Sequence, residues 1–464
     1  MMTQPSAAPF KVIQVCSVAP LEAPKTNPST TVAPTSLTLT FFDLLWLRFP
    51  AAQCLFFYSF PHPTSSFHNS LLPSLKHSLS LTLQHFLPFA GTITWPHNSP
   101  SPIISYVPGN TVPLTIAQSN ADFDTLSSNL CEAPERHRFV PQLTTSHEQA
   151  SVLALQVTVF PNTGFCIGIT THHAAFDGKS SIMFIKSWAY ICSNLQHPTP
   201  SPTLSLPQHL TPFFDRSVIR DPSGLSEAYV ATWMHHGGPN NRSLKVWESI
   251  ITTSNDGVKG LFELTPSQIL KLKQHAQCKM KVGVQLSTFS VTSAYVLTCL
   301  LRAKQPAEDN VSFVFAADCR SRLDPPIPGT YFGNCVASKR VRAVTKKLVG
   351  NDGFVSALEG IGEVLNSVKD GGVLSGAECW VSEMHEKVDG RMFPCAGSPR
   401  FEVYSTDFGW GRPKKVDITS TDTTGAFSFS QSRDDSGGVE IGLMLDKREM
   451  EDFTTFFVQG LESL

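Results

Sequence analysis

A pair of histidines followed by a carboxylate is the part of this sequence best suited to chemistry. His172 and His173 are adjacent, and Asp177 stands four residues after His173 with Gly178 behind it. A neutral imidazole can remove a proton from a hydroxyl group, because its ordinary pKa lies near physiological pH. Such a base needs no metal ion, no covalent nucleophile and no redox group. We therefore predict that His173 is a general base and that His172 is its neighbour.

Asp177 has two candidate roles beside this histidine. Its carboxylate can orient the imidazole directly, as the acid of a catalytic triad does. Alternatively, it can hold the loop by pairing with an arginine from elsewhere in the chain. Because Asp177 precedes a helical pattern, it is suited to the N-cap, from which it is poorly placed to reach back to His173. We favour the second role and predict Arg320 as the partner.

A metal site is not expected at these residues. Adjacent residues on a strand point to opposite faces, so His172 and His173 cannot easily share a metal ion. The spacing matches neither the H-E-x-x-H zinc pattern nor a Cys/His ribbon. We therefore predict no metal ion and no tightly bound cofactor.

A second string, residues 407–411 (DFGWG), contains the three letters that mark a kinase. No H-R-D loop or glycine-rich loop precedes it, and the 53 residues after Gly411 are too few for a kinase C-lobe. The sequence also lacks the G-x-S-x-G turn of α/β-hydrolases, a P-loop and a dinucleotide fingerprint. Kinase, serine hydrolase and nucleotide-binding functions are therefore not supported.

The elements around the histidines have clear periodic patterns. Residues 71–91 have apolar side chains every three or four positions and predict a helix, ended by Pro88 and Gly91. Residues 151–160 and 164–171 predict two strands joined by a turn. From Lys179 onward the apolar spacing becomes that of a helix. The candidate base is thus expected between a strand and a helix.

The second half of the chain has the same mixture of elements. Residues 287–301 predict a helix, and residues 311–317 alternate like a buried strand that leads to Arg320. Between the halves, residues 197–212 contain five prolines and predict a linker. We predict an α/β protein with two domains of similar size, residues 1–200 and 226–464, joined by a crossover linker at 201–225.

Bulk composition excludes several other classes of protein. The net charge of −2 provides no basic field for nucleic acid. The 11 cysteines form no C-x-x-C pair and are odd in number, which indicates a reducing compartment. No secretory signal or uninterrupted apolar span is evident. We therefore expect a cytoplasmic protein with no membrane span and no nucleic-acid partner.

The two motifs together resemble a known family. Residues 173–177 fit the pattern H-x-x-x-D, and with DFGWG at 407–411 they resemble the BAHD family of plant CoA-dependent acyltransferases. The resemblance extends over essentially the whole chain, including residues 37–50 and 75–91. The string YFGNC at 331–335 is similar to the clade that acts on flavonoid glycosides, usually with malonyl-CoA. HHAAFDGKSS at 172–181 is most similar to legume-type malonyltransferases of isoflavone and other phenolic glucosides.

This resemblance implies a fold of the chloramphenicol-acetyltransferase type, with each domain a mixed sheet flanked by helices and the active-site channel between the domains. It implies transfer of a malonyl group from malonyl-CoA, as co-substrate, to a sugar hydroxyl of a flavonoid or isoflavone glucoside, with the glucose 6-hydroxyl as the expected acceptor. His173 and Asp177 are then the catalytic-motif residues, and a monomer is expected. The residues implied to support the fold and the CoA channel are Asp407, Phe408, Gly409, Trp410, Gly411 and Arg320.

The charges of malonyl-CoA point to further residues. A buried malonyl carboxylate is costly without a cationic partner. Lys179 and Arg400 are the candidates, and Arg400 is preferred because a guanidinium can bind a carboxylate through two parallel hydrogen bonds. The predicted coenzyme A contacts are Lys279, Lys281, Ser287 and Thr288.

Two other functions remain open from the sequence. The same fold can use an acetyl or hydroxycinnamoyl donor instead of a malonyl donor. Alternatively, the protein is a non-catalytic relative that only binds CoA or partner enzymes. The intact H-x-x-x-D pattern argues against the second alternative.

Overall fold

A computed structural model describes residues 9–21, 33–196, 205–249, 257–280, 286–370, 372–385, 391–434 and 436–464. The strands are β1 (Phe10–Val18), β2 (Ser36–Thr38), β3 (Ala52–Ser59), β4 (Thr92–Thr94), β5 (Ile103–Ser105), β6 (Val112–Ser119), β7 (Leu130–Glu132), β8 (Gln149–Ser151), β9 (Leu153–Phe160), β10 (Gly164–Thr171), β11 (Val258–Leu264), β12 (Asn310–Asp318), β13 (Val336–Val344), β14 (Arg391–Gly397), β15 (Lys415–Asp417), β16 (Phe427–Gln431) and β17 (Val439–Leu445). The helices are α1 (Phe41–Leu44), α2 (Thr64–Ser66), α3 (Leu72–His85), α4 (Phe123–Leu126), α5 (Ala133–His137), α6 (Gly178–Leu195), α7 (Leu225–His235), α8 (Pro266–Lys279), α9 (Thr288–Lys304), α10 (Thr345–Val349), α11 (Gly353–Asp370), α12 (Trp380–His385), α13 (Ser420–Thr424) and α14 (Lys447–Glu462).

Two large mixed sheets organise the described residues. The first has the strand order β1-β6-β9-β10-β3-β15, and the second has the order β13-β12-β14-β16-β17-β11-β7. A small third sheet has the order β2-β5-β4-β8. Parallel pairs, such as β6 with β9 and β12 with β14, occur beside antiparallel ones. The predicted α/β class with two sheet-and-helix domains is therefore confirmed.

The elements predicted next to the histidines are present. β9 and β10 form an antiparallel hairpin in which every residue is buried, as expected for strands covered on both faces. α6 follows the histidine loop, and its apolar face, including Phe184, Ile185 and Trp188, is buried. α3 is shorter than predicted and ends at His85, before a 3-10 turn at Leu87–Ala90. The change of helix type follows from Pro88, which cannot donate a backbone hydrogen bond.

The two halves of the chain exchange strands. β7, from the first half, pairs with β11 at the edge of the second sheet. In return, β15 from the second half pairs with β3 at the edge of the first sheet. Residues 205–225 of the predicted linker contain 3-10 turns at Gln208–Leu210 and Arg216–Val218 and bury Leu206 and Leu210. The halves are thus joined by sheet hydrogen bonds as well as by the linker.

A buried ionic cluster lies where the strands cross over. Arg136 contacts both Asp417 and Asp422, and Lys259 Nζ lies 3.3 Å from Asp417 and 2.8 Å from Asp422. All four side chains are at most 2% exposed. Two cations and two carboxylates therefore balance in an environment where an unpaired charge would be very costly.

Candidate active site

His173 is held in the loop between β10 and α6. Its imidazole stacks on the indole of Trp46, with ring centroids 4.2 Å apart and planes at 22°. Phe49 packs its edge against the same imidazole at 5.4 Å. His173 Nδ1 is buried without a hydrogen-bond partner in another described residue, and His173 lines the adjoining cavity. The imidazole is therefore held by aromatic contacts at the cavity wall.

Burial determines the protonation state of this histidine. It lowers the pKa of His173 to about 4, and the charge of Asp177 opposes the shift only in part. His172 is fully buried, and its pKa falls to about 3 for the same reason, with a further contribution from His173. Both imidazoles are thus neutral at physiological pH. A neutral His173 can accept a proton, which general-base catalysis requires.

Asp177 braces the loop and does not contact the imidazole in any recorded hydrogen bond. It is the N-cap of α6, where Oδ1 accepts a hydrogen bond from Ser180 N at 2.9 Å. Its Oδ2 lies 2.8 Å from Arg320 Nη2, so the predicted pair with Arg320 is present. Cys335 N also donates to this oxygen, at 3.1 Å. The geometry therefore fits the second of the two roles considered for Asp177.

The YFGNC segment, residues 331–335, closes over the same loop. Gly333 O accepts hydrogen bonds from Ser180 Oγ at 3.0 Å and from Arg320 Nη2 at 3.1 Å. Asn334 Nδ2 donates to the carbonyl oxygen of His173 at 3.0 Å. A Cβ atom at position 333 would lie 1.7 Å from Arg216 Nη1, so any larger residue there would displace the Arg216 guanidinium. Consecutive residues of this segment therefore fix the loop at three points.

Asn334 is in turn held by a buried carboxylate. Asp43 Oδ1 accepts hydrogen bonds from Asn334 N at 2.9 Å and from Asn334 Nδ2 at 3.0 Å. Asp43 Oδ2 caps α1 through Thr40 and lies 3.6 Å from Arg216 Nη1. The position of His173 thus depends on segments from both halves of the chain.

A cavity of about 1710 Å³ adjoins His173. Both halves contribute to its wall, with His173, Asp177 and Ile182 from the first and Phe289 and Val314 from the second. The cavity is large enough for two substrates of the size of an acyl-CoA and a glycoside, since drug-sized ligands occupy about 300–1,000 Å³. The position of the cavity matches the active-site channel between the domains that the resemblance implies.

Four of the predicted substrate contacts, two cations and two hydroxyl-bearing residues, line this cavity. Lys179 lines it with its ammonium 3.3 Å from Asp318 Oδ2. Arg400 also lines it and is exposed. Ser287 and Thr288 lie at the start of α9, where Ser287 is the N-cap. These residues are brought together with His173 by the fold.

The predicted lysine contacts to coenzyme A are not brought to the cavity in the same way. Lys279 is not among the residues of the cavity wall, and its ammonium lies 3.2 Å from Asp352 at the surface. Lys281 lies outside the described residues. The structure therefore adds nothing in favour of a phosphate contact by either lysine.

The DFGWG segment forms a turn away from the cavity. Asp407 Oδ1 accepts hydrogen bonds from Gly409 N at 2.7 Å and Gly411 N at 2.9 Å. Phe408 is buried against Tyr58 and Trp188. None of residues 407–411 belongs to the cavity wall. The turn leads directly into β15, so its position suits a structural role at the strand crossover.

Trp46, Phe49 and Asn334 are the contacts of His173 that residue patterns did not identify. The segments that contain them, residues 37–50 and 331–335, were noted only as resemblances. An unusual concentration of aromatic residues before Pro50 was the available signal for the first. No pattern signals a side chain that binds a carbonyl oxygen 161 residues away.

Comparison with known proteins assigns the chain to a family. Its sequence matches the Transferase family over residues 22–459. The chain belongs to the BAHD acyltransferase family. A BAHD relative, phenolic glucoside malonyltransferase 2 of Arabidopsis thaliana, is 40% identical over 437 residues, which cover 92% of this chain and 94% of that protein. Agmatine coumaroyltransferase of the same organism is 36% identical over 464 residues, which cover 97% and 99%.

The BAHD fold is also recognised in solved structures. The crystal structure of vinorine synthase has a TM-score of 0.64 to this chain at 20% identity and covers 96% of both chains. The fold predicted from the resemblance is therefore confirmed. As a BAHD member, the chain is an acyl-CoA-dependent acyltransferase.

Within the described ranges of the chain, no helix is both long and apolar enough to cross a membrane. No group of three or more His, Cys, Asp or Glu side chains in those ranges is arranged to hold a metal ion.

Proposed function

We propose that this protein transfers the malonyl group of malonyl-CoA to a sugar hydroxyl, with the glucose 6-hydroxyl as the leading candidate, of a flavonoid, isoflavone or other phenolic glucoside. The observation that carries the proposal is the neutral imidazole of His173, which lines a cavity whose wall also contains Lys179 and Arg400. The 40% identical phenolic glucoside malonyltransferase supports this choice of donor and acceptor.

His173 acts as the general base in this reaction. Nε2 takes the proton of the sugar hydroxyl while its oxygen attacks the thioester carbonyl of malonyl-CoA. The tetrahedral intermediate collapses, the carbon–sulfur bond breaks, and the proton on His173 passes to the departing CoA thiolate. The products are the malonyl ester and free CoA, and His173 is neutral again. A positioned base typically accelerates such a step about 10²–10⁴-fold.

Lys179 and Arg400 provide positive charge for the malonyl carboxylate. Both line the cavity that His173 also lines. A guanidinium binds a carboxylate through two hydrogen bonds, whereas an ammonium acts as a point charge. Arg400 therefore provides the geometric match, and Lys179 provides a second charge in the first turn of α6.

The setting proposed for this reaction is a monomer in the cytosol. Each of the 11 cysteines is free, which is typical of a reducing compartment. Residues from both halves of a single chain line the cavity, which supports a monomer.

The decisive experiment is a panel of donors and acceptors. Purified protein is incubated with malonyl-, acetyl- or coumaroyl-CoA and a set of phenolic glucosides, and the mass of each product is measured. Malonyl esters should form with the highest kcat/KM. A clear preference for coumaroyl-CoA, the acyl group named for the 36% identical relative, would reject the malonyl assignment.

A variant of the base separates catalysis from binding. His173→Ala should lower kcat by about 10²–10⁴-fold and leave the Kd for malonyl-CoA within a few-fold of the wild-type value. His235→Ala is the matched control, since His235 is exposed and lies outside the cavity wall. Equal activity of the two variants would show that His173 is not the base.

A further inference from the structure

Four charged side chains form a continuous series of ion pairs along the cavity wall, beginning at the histidine loop. Asp177 Oδ2 lies 2.8 Å from Arg320 Nη2, and Arg320 Nη1 lies 3.0 Å from Asp318 Oδ1. Asp318 Oδ2 then lies 3.3 Å from Lys179 Nζ. All four residues line the same cavity. Asp318 thus contacts Arg320, which holds the histidine loop, through Oδ1. Through Oδ2 it contacts Lys179, a candidate cation for the malonyl carboxylate.

The two ends of this series of ion pairs differ in burial. Asp177 and Arg320 are at most 3% exposed, and their contact is sealed in the protein. Lys179 and Asp318 are 41% and 42% exposed and line the cavity. Burial would raise the pKa of Asp318, but the charges of Arg320 and Lys179 outweigh that effect and lower it. Asp318 is therefore ionised at neutral pH.

Charges in this part of the wall nearly cancel. Arg322 also joins the group, since its Nη1 donates to the carbonyl oxygen of Asp318 and its side chain lines the cavity. Three cations, Lys179, Arg320 and Arg322, then face two carboxylates, Asp177 and Asp318. The surplus is a single positive charge. One additional carboxylate from a ligand would neutralise the group.

We propose that Asp318 is a specificity-determining residue, which acts as the counter-ion of Lys179 and restricts the surplus charge of this group of five side chains to one. This inference rests on the proposed malonyl transfer and names a residue that limits the affinity of the pocket for the malonyl carboxylate. Asp318 repels an acyl carboxylate bound at Lys179 and competes with it for the ammonium. The pocket therefore accepts one carboxylate with moderate affinity, which allows the malonyl ester product to leave.

Asp318→Asn is the direct test because it removes only the charge. The amide oxygen can still accept the hydrogen bond from Arg320, while the amide nitrogen faces Lys179. The ratio of kcat/KM for malonyl-CoA to kcat/KM for acetyl-CoA should rise about threefold to tenfold, as expected for removing one like charge at a partly solvated site. That ratio should also decrease more steeply with added salt in the variant, because its surplus charge is doubled.

Asp124→Asn is the matched control. Asp124 forms an ion pair with Lys414, and neither residue lines the cavity. This variant loses a comparable surface charge, so its donor ratio should equal that of the wild type. A rise in both variants would show that net protein charge, and not the pocket, changes the ratio.

Two results with Asp318→Asn would overturn the inference. An unchanged donor ratio, with both rates lowered equally, would mean that Asp318 only supports Arg320. A lower ratio would mean that Asp318 orients Lys179 for the donor instead of opposing it.

Failure of malonyl transfer itself has a separate signature. If the wild-type protein does not use malonyl-CoA, the proposed function is wrong, whatever Asp318 does. The Kd values for malonyl-CoA and acetyl-CoA, measured by calorimetry, then test Asp318 alone. A malonyl-to-acetyl affinity ratio that increases in Asp318→Asn supports the counter-ion role, and an unchanged ratio rejects it.

Discussion

The indole ring of Trp46 lies face to face with the imidazole of His173, with ring centroids 4.2 Å apart. This contact removes one face of the imidazole from water, and Phe49 covers an edge. Loss of hydration disfavours the charged form of a histidine and lowers its pKa. Trp46 therefore fixes the ring of the candidate base and also contributes to keeping it neutral.

Removing the aromatic face should shift the pH dependence of activity. In Trp46→Leu, His173 becomes better hydrated, so its pKa should rise from about 4 toward the ordinary value of 6.5. Because the base works only when deprotonated, the acidic loss of kcat/KM should occur at a higher pH. Titratable groups near the imidazole, His172 and Asp177, are unchanged. Profiles of kcat/KM from pH 4 to pH 9 measure the shift.

Trp46→Phe provides the control for this prediction. A phenyl ring can retain the stacked contact, so the acidic limb should remain close to the wild-type position. An acidic limb that stays in place in Trp46→Leu, with only the amplitude reduced at every pH, would contradict the role assigned to the indole.

Asn334→Ala should lower kcat more than it raises KM. The hydrogen bond from Asn334 Nδ2 to the carbonyl of His173 is lost, so the base moves from its productive position. A displacement of about 1 Å can reduce the rate about 10²-fold. The measurements are kcat, KM and the melting temperature.

Tyr58→Phe is the control for the loss of buried hydrogen bonding away from the cavity. It removes the contacts that Tyr58 OH makes with Thr406 O at 2.9 Å and Thr406 Oγ1 at 3.2 Å, at a site outside the cavity wall. Its melting temperature should fall without a comparable loss of kcat. If both variants lose kcat in proportion to stability, Asn334 has no positioning role.

Stability should decrease on acidification because His172 is buried in its neutral form. The pKa of His172 is about 3 in the folded protein and 6.5 as the ordinary value. As pH falls below 6.5, the unfolded chain binds a proton that the folded chain does not, so the folded state loses stability. At pH 5, the contribution of His172 alone lowers the free energy of unfolding by about 2 kcal/mol relative to pH 7.5.

Urea denaturation across this pH range tests the contribution of His172. His172→Gln should have a lower free energy of unfolding than the wild type at pH 7.5. Between pH 7.5 and pH 5, however, its free energy of unfolding should fall by about 2 kcal/mol less than that of the wild type. His235→Gln should not change the pH dependence of the free energy of unfolding, because His235 is exposed. Identical slopes in all three proteins would place the acid sensitivity elsewhere.

Gly411→Ala should destabilise the DFGWG turn without changing the chemistry. Gly411 has φ of +97°, and a Cβ atom there would meet no other atom within 4 Å. The cost is therefore the backbone strain alone, about 1–2 kcal/mol. The melting temperature should fall, and kcat/KM of the folded protein should be preserved. A large loss of kcat/KM at an unchanged melting temperature would assign the turn to the active site.

Local patterns in the sequence were sufficient for the elements that carry the histidines. β9 and β10 are short, largely apolar runs separated by turn residues, and α6 has apolar side chains at helical spacing, so residue types indicate all three elements. The predicted pair of Asp177 and Arg320 is present, although a buried carboxylate indicates only that a cation is needed and not which one. The role of His173 as the base stays a prediction.

Other features depend on long-range contacts that residue types do not encode. β7 and β15 have three residues each and join sheets of the opposite half, so neither has a periodicity of its own. The placement of Asn334 under His173 follows from the strand crossover and not from local spacing. Likewise, Lys279 is a plausible phosphate ligand by composition, yet its nearest charged partner is Asp352 at the surface.

The exchange of β7 and β15 limits how substrates can reach His173. Each half of the chain completes the sheet of the other, and the balanced charges of Arg136, Lys259, Asp417 and Asp422 lie sealed at the junction. Opening the halves like a hinge would break backbone hydrogen bonds and expose those charges. The two halves are therefore expected to stay together while substrates enter and leave the cavity, so access to His173 depends on movements of side chains and loops in the cavity wall.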